Sequence, residues 1–177
     1  MELKGFTYFW QGPLSQWHKA SMLGVLEIEY NCCEQFMMAT KAAIMKDMDT
    51  RHLIMATSDP RKQKALGRAV KNYDDKLWDK HKLGVVYLGN YYKFTQNEDL
   101  RTLLLNTGST LLVEASPFDN IWGIGLEEAV AKTTNPSQWP GKNYLGKVLT
   151  LVREDIRNNY NTDIVDLEDR FAELGWL

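Results

Sequence analysis

Asn31-Cys32-Cys33-Glu34-Gln35-Phe36-Met37-Met38-Ala39-Thr40-Lys41-Ala42-Ala43-Ile44-Met45 is the stretch on which the reading of this chain turns. It reads as a helix. Asn31 is placed to cap it, and Glu34 stands three residues later, where a capping-box side chain reaches back. No Pro or Gly interrupts the run as far as Met48. At about 100° per residue, Cys33, Ile44, Met37, Met48, Lys41, Glu34, Met45 and Met38 share one arc of about 140°. The arc is apolar except in its middle, where Glu34 and Lys41 stand almost on one line, about 10.5 Å apart along the axis. An unpaired charge on a core-facing surface is costly, and a local break in a pattern is where function is to be sought. The competing explanation is structural: Glu34 completes a capping box, and Lys41 runs its stem along the methionines to water.

Upstream, Val25-Leu26-Glu27-Ile28-Glu29-Tyr30 alternates with period two and reads as a strand leading into the helix. Gly24 separates it from Leu14-Ser15-Gln16-Trp17-His18, a segment that sets polar groups beside an indole. Trp17 there either stacks on a ring or base, or is core. Gln11-Gly12-Pro13 is a turn signal, and Phe6-Thr7-Tyr8-Phe9-Trp10 is β-prone.

Downstream, Asp49 to Ala56 reads as a short helix. Ser58-Asp59-Pro60-Arg61 starts another, with Ser58 or Asp59 as cap and Pro60 in the first turn. That helix carries Arg61, Lys62, Lys64 and Arg68, which either hold phosphates or form a solvated face. Gly67 lies inside it; an interior Gly costs about 1 kcal/mol against Ala and marks close backbone approach. Tyr73 to Lys82 reads as an amphipathic helix with Leu77, Trp78 and His81 on one side, Gly84 to Gly89 as a strand, and Asn97 to Leu105 as a helix stopped at Gly108.

Thr110 to Ala115 is a buried-strand candidate that breaks into Ser116-Pro117-Phe118-Asp119-Asn120-Ile121-Trp122-Gly123-Ile124-Gly125. Two glycines in such a loop let backbone N–H groups approach an anion, and the short helix Leu126 to Ala131 would favour negative charge at its start. A tight turn is the plainer cause of the glycines. Asp119 and Trp122 add an acid and an aromatic plate. Asn143 opens a long helix towards Asn158, with Leu145, Val148, Leu149, Val152 and Ile156 as its stripe; Asn143 either caps it or contacts a ligand. Asp163 to Leu177 reads as a short acidic helix that packs back on the rest.

At 177 residues the chain is most simply one domain, with 161–177 as its helical tail. Lys plus Arg (21) nearly balance Asp plus Glu (23), a formal net charge of −2, so there is no global electrostatic footprint for nucleic acid; a local basic groove is left open. The adjacent Cys32 and Cys33 point about 100° apart on a helix, which disfavours a mutual disulfide. His18, His52 and His81 are scattered, and no metal-ligand spacing occurs. The start, Met-Glu-Leu-Lys-Gly-Phe, lacks the pattern of a secretory leader, and no apolar run reaches membrane-spanning length. The expectation is a cytoplasmic protein without a membrane partner.

Several blocks in one order carry a resemblance. They are Gly12-Pro13-Leu14-Ser15-Gln16-Trp17, the Asn31 to Ala42 helix, Asp59-Pro60-Arg61 with Gly67-Arg68, and Lys93-Phe94-x-Gln96-Asn97. Glu114-Ala115-Ser116-Pro117-x-Asp119-x-Ile121-Trp122-Gly123-Ile124-Gly125 and Trp139-x-Gly141-x-Asn143-x-Leu145-Gly146 complete the set. From about Phe9 to Arg157 the chain resembles the NADAR family, also called YbiA-like proteins. The resemblance implies an α+β, helix-dominated single domain and an N-glycosidase that needs no cofactor or metal. Two substrate classes are attached to the family: ADP-ribose linked to guanine in DNA, RNA or nucleotides, and ribosylamino-pyrimidine intermediates of riboflavin synthesis. It further implies a lysine that attacks ribose C1 to give a Schiff base, at the position of Lys41. Thr40 departs from the acid expected before that lysine.

On this reading Lys41, Glu34 and Asp119 are the catalytic candidates: Lys41 as a desolvated amine, Glu34 or Asp119 as the proton carrier. Trp17 and Trp122 would pack on base or adenine. Arg68, Gly123 and Gly125 would meet phosphates, and Ser15 and Asn143 would also bind the ligand. A non-catalytic ADP-ribose reader is the alternative from another class.

Overall fold

The computed structural model describes residues 1–159 and 167–176. The stretch 161–166 and Leu177, part of the expected tail, lie outside the described residues. The protein is α+β and helix-dominated, as expected: helices alternate with four short strands among the described residues. Its contacts gather into two compact units, Gln16–Leu100 and Met1–Ser15 with Arg101–Leu177.

In the second of these, β1 (Phe6–Phe9) pairs in parallel with β4 (Leu111–Glu114), with Phe6 opposite Leu111 and Phe9 opposite Glu114. Val113, Ala115, Ile124 and Ala131 form a buried cluster, against which Tyr8, Leu111, Leu126 and Trp139 pack. Helix α6 (Glu128–Ala131) follows, and α7 (Tyr144–Arg157) lies along β4. The expected stripe of α7 is buried at Leu145, Val148, Leu149 and Val152. The tail helix α8 (Leu167–Glu173) sets Phe171 against the rings of Tyr144 and Trp176, with centroids 6.4 and 5.5 Å away. Its Arg170 grips the Asp155 carboxylate through two bonds of 2.8 and 2.7 Å.

In the unit Gln16–Leu100, α1 (Cys33–Ile44) is central and packs on α2 (Met48–Met55), α3 (Pro60–Arg68) and α4 (Asp75–Gln96). Helix α5 (Glu98–Leu105) carries the chain past Leu100. The quoted stretch is thus a helix buried on nearly every side, with Cys33 to Ala39 and Ala42 all covered. It ends sooner than expected. Lys46 turns left-handed (φ 59°), and Asp47 caps α2 by accepting the Thr50 N–H at 3.1 Å, so Met48 belongs to the next helix and is exposed.

The capping box also differs. Cys32, not Asn31, is the cap residue, and no side chain caps α1. The side chain that reaches back is Gln35, whose Oε1 accepts the Asn31 N–H at 2.9 Å. Asn31 is instead drawn into a buried amide network with Gln63 and the Thr57 carbonyl.

One expected strand is shortened to its last two residues and another is helical. Met22–Leu23 (β2) and Glu29–Tyr30 (β3) pair antiparallel, but Val25–Glu27 between them is a 3₁₀ turn with Leu26 and Glu27 at φ 60° and 57°. The period-two pattern there marks a hairpin tip, with Leu26 86 % exposed. Gly84 to Gly89 lies inside α4. Gly89 serves contact there: a Cβ would stand 2.8 Å from Phe36 Cδ1.

Candidate active site

Glu34 and Lys41 are both placed by α1, Glu34 in its first turn and Lys41 in its last, about two turns apart. Glu34 is 5 % exposed, although charged, and its Oε2 accepts the Trp17 Nε1–H at 3.2 Å. The Gln16 carbonyl accepts the Glu34 N–H at 3.0 Å, which ties Gln16 and Trp17 to the first turn of the helix. Trp17 itself is 38 % exposed, with the Lys64 ammonium 5.9 Å from its ring. It is therefore not a core tryptophan; it links Glu34 to the surface.

Lys41 is half-buried. Its Nζ donates to the Gly67 carbonyl at 2.9 Å and lies 4.3 Å from the Tyr73 ring centroid and 5.7 Å from that of Trp78. Gly67 is where α3 comes closest to α1: a Cβ would collide with Met38 Sδ. Opposing influences act on the amine. Burial, the largest, pushes its pKa below the usual lysine value, and Arg68 adds to this; Asp75 and, more weakly, Glu34 pull it up. The net direction is down, so the neutral amine is reached at lower pH than for an ordinary lysine. Arg68 ends α3 and is exposed.

A second lysine of this unit is more deeply enclosed. Lys93 on α4 is fully buried, 4.9 Å from the Phe94 ring, and burial lowers its pKa.

The other candidates belong to the unit of Met1–Ser15 with Arg101–Leu177. Ser15 closes a turn by donating its N–H to the Gly12 carbonyl at 3.0 Å. Asp119, Trp122, Gly123, Gly125 and Asn143 come together where the loop 116–125 is zipped to 139–145. The Gly141 and Asn143 N–H groups donate to Ile124 and Gly123, and those of Tyr144 and Leu145 to Ile121 and Trp122.

Asp119 Oδ1 accepts the N–H groups of Ile121 (2.9 Å) and Trp122 (2.8 Å), which shapes the loop. Gly125 sits at φ +72°, and a Cβ on it would strike Asn120 Oδ1; one on Gly123 would stand 2.9 Å from the Glu114 carbonyl. Trp122 lies edge-on to Tyr144, with centroids 6.4 Å apart.

Asn143 holds the N-cap position of α7, but its side chain makes no capping bond. It is left-handed (φ 54°) and buried, and its amide straps β4: Oδ1 accepts the Glu114 N–H at 3.0 Å and Nδ2 donates to Leu112 O at 2.9 Å.

Sequence reasoning missed Tyr73, Trp78 and the Gly67 carbonyl around Lys41. Trp78 was visible as an apolar position of its helix, and Tyr73 carried no signal of its own. Among the described residues, no group of three or more His, Cys, Asp or Glu is placed to hold a metal ion, and no helix is long and apolar enough to cross a membrane.

The profile of the NADAR domain matches residues 5–157, and the chain belongs to the NADAR family. It is 47 % identical over 145 residues to "N-glycosidase R617" of Acanthamoeba polyphaga mimivirus, spanning 80 % of this chain and 85 % of that one. It is 32 % identical over 114 residues to "Riboflavin biosynthesis protein PYRR, chloroplastic" of Arabidopsis thaliana, covering 62 % of this chain and 17 % of that protein. The fold matches the NMR structure of the E. coli protein YbiA with a TM-score of 0.72 and 25 % identity, over 92 % of each chain.

Proposed function

We propose that this protein is an N-glycosidase that cleaves the bond between ribose C1 and the nitrogen of ADP-ribosylated guanine, in nucleic acid or nucleotide, and releases ADP-ribose. Its family and its similarity to a relative named as an N-glycosidase support the bond type. The observation that carries the reading is Lys41: a lysine drawn half out of water between two aromatic rings, on the same helix as a buried glutamate. Charge on a packed helix face is costly to keep, even where it finds a partner such as the Trp17 N–H or the Gly67 carbonyl. Desolvation is also a known way to make an amine nucleophilic.

In this reading the neutral Lys41 Nζ bonds to C1. The C1–N bond to the base breaks, with Glu34 supplying a proton to the departing nitrogen. The ribose ring oxygen takes a proton as the ring opens, and Nζ gives up its protons to leave an imine at C1. Water then adds to the imine, frees the sugar aldehyde and restores the amine. Trp17 orients Glu34 through its N–H.

The test incubates the protein and its Lys41→Ala variant with a guanine-ADP-ribosylated DNA oligonucleotide, with borohydride present, and follows release and adducts by mass spectrometry. Release by wild type, with a trapped adduct absent from the variant, is expected. Release by both would move catalysis to Glu34 or Asp119. Release by neither, with turnover of ribosylamino-pyrimidines instead, would establish the second reading, which the similarity to PYRR favours. Tight ADP-ribose binding without turnover, indifferent to Lys41→Ala, would make the protein a reader.

A further inference from the structure

Two aromatic side chains in the unit of Met1–Ser15 with Arg101–Leu177 have no part in the chemistry above. Strands β1 and β4 leave their sheet side by side, with Ala115 N–H still donating to Phe9 O at 2.7 Å. The rings just beyond, Trp10 and Phe118, meet with centroids 5.9 Å apart and planes at 45°. Both remain open to water: Phe118 is 85 % exposed and Trp10 44 %, with Ile121 also exposed on the same loop.

A slack loop could show such surface by accident. This one is pinned on both sides of Phe118. Ser116 Oγ accepts the Phe118 N–H at 3.4 Å, Asp119 Oδ1 accepts two further N–H groups, and Asn120 O takes the Lys142 N–H at 2.9 Å. Fixed, exposed apolar rings are unfavourable in water and mark a surface that meets something.

The charge beside them narrows the occupant. Lys142 is exposed, its backbone is bonded to Asn120 of the same loop, and its ammonium lies 5.4 Å from the Tyr144 ring. Lys147, 5.7 Å from that ring, is already committed: its ammonium donates to the Trp176 carbonyl at 3.0 Å, which leaves Lys142 as the cation of this surface. The core of a protein–protein interface is depleted in lysine. Rings that offer a face to any base, next to cations that meet phosphates, are how single strands are held.

We propose that Trp10 and Phe118 form a stacking platform for an unpaired base of single-stranded nucleic acid, with Lys142 meeting the adjoining phosphate. The proposal goes beyond the chemistry assigned to α1 and does not depend on it.

The experiment has two arms. In the first, fluorescence anisotropy measures binding of a short, unmodified single-stranded oligonucleotide. Wild type binds; Phe118→Ala and Trp10→Ala each weaken binding about tenfold, and Phe118→Trp restores it. Lys142→Ala lowers the slope of log affinity against log salt by about 0.7. In the second arm, the same variants are titrated with free ADP-ribose and run in sedimentation; neither ADP-ribose affinity nor oligomeric state is expected to change.

Absence of strand binding, or binding indifferent to Phe118→Ala, overturns the proposal. So does an equal loss of affinity for free ADP-ribose, which would give the rings to adenine, or loss of a dimer in sedimentation, which would give them to a second copy. Neither arm needs turnover. Strand binding through these rings without release of ADP-ribose would defeat the glycosidase reading alone.

Discussion

Helix α1, with the Trp17 and Gly67 that meet it, and the loop 116–125 each bring together an acid, a tryptophan and close-packed glycine, yet they use them in opposite ways. In the loop the polar groups build the loop. Asp119 holds two backbone N–H groups, Asn143 straps β4, and the space for a side chain at Gly123 and Gly125 is taken by neighbouring atoms. On α1 the backbone is satisfied by the helix itself, and Glu34 and Lys41 turn instead to the Trp17 indole and the Gly67 carbonyl. The lesson is to ask what the backbone would lose without the side chain. Where the answer is its own hydrogen bonds, the motif is first an architectural one; where the answer is nothing, the charge is a candidate for chemistry.

The largest expected effect sharpens that contrast directly. Glu34→Gln keeps shape and the Trp17 contact but cannot deliver a proton, and is expected to lower kcat about 100-fold or more, with little change in urea midpoint. Asp119→Asn, which keeps an Oδ1 acceptor for the two N–H groups, is expected to lower kcat less than about tenfold, within what a disturbed loop costs. Equal losses in the two variants would erase the distinction. Steady-state kinetics on the same ADP-ribosylated substrate decides it.

Next comes stability. Asn143→Ala removes two buried bonds to β4 and leaves a residue with no side-chain polarity in the left-handed region. About 3 kcal/mol of unfolding free energy is expected to be lost, read by urea denaturation. A variant of unchanged stability would mean that Asn143 serves a ligand rather than the strand.

The smallest effect is a shift in pH. In the proposed mechanism the neutral amine of Lys41 is the reactive form, so kcat/KM is expected to rise with pH, with its limb below the ordinary lysine value of 10.5 because burial lowers Lys41. Asp75 raises Lys41, so Asp75→Asn is expected to move that limb to lower pH. A limb that stays in place, or moves up, would separate Lys41 from the rate. A pH–rate profile of both proteins measures it.

Much of this was legible in the chain. The apolar run with Glu34 and Lys41 announced α1, the Thr110 to Ala115 run announced β4, and the interior Gly67 announced the approach of α3 to α1. What was not legible had physical causes. Alternation over Val25–Tyr30 is equally the pattern of a hairpin tip, where exposure is set by backbone turning at Leu26 and Glu27 and not by a sheet face. The glycines in Gly84–Gly89 sit mid-helix because Phe36 presses on Gly89, and tertiary contact of that kind overrides local propensity. Glu34 as a capping-box member failed because Gln35, one residue on, took that role. The rings around Lys41 come from a different part of the sequence, and only the packing of α3 and α4 on α1 brings Tyr73 and Trp78 to it.

The paired thiols of α1 have a practical consequence. Cys32 and Cys33 are free and wholly enclosed, and burial pushes the Cys33 thiol up to about 12. Since only an accessible thiolate reacts, an alkylating reagent finds neither sulfur while α1 stays seated on α4. The protein thus carries its own stopwatch: the pace at which the two sulfurs are alkylated records how often its central helix comes loose, without a dye or an engineered tag.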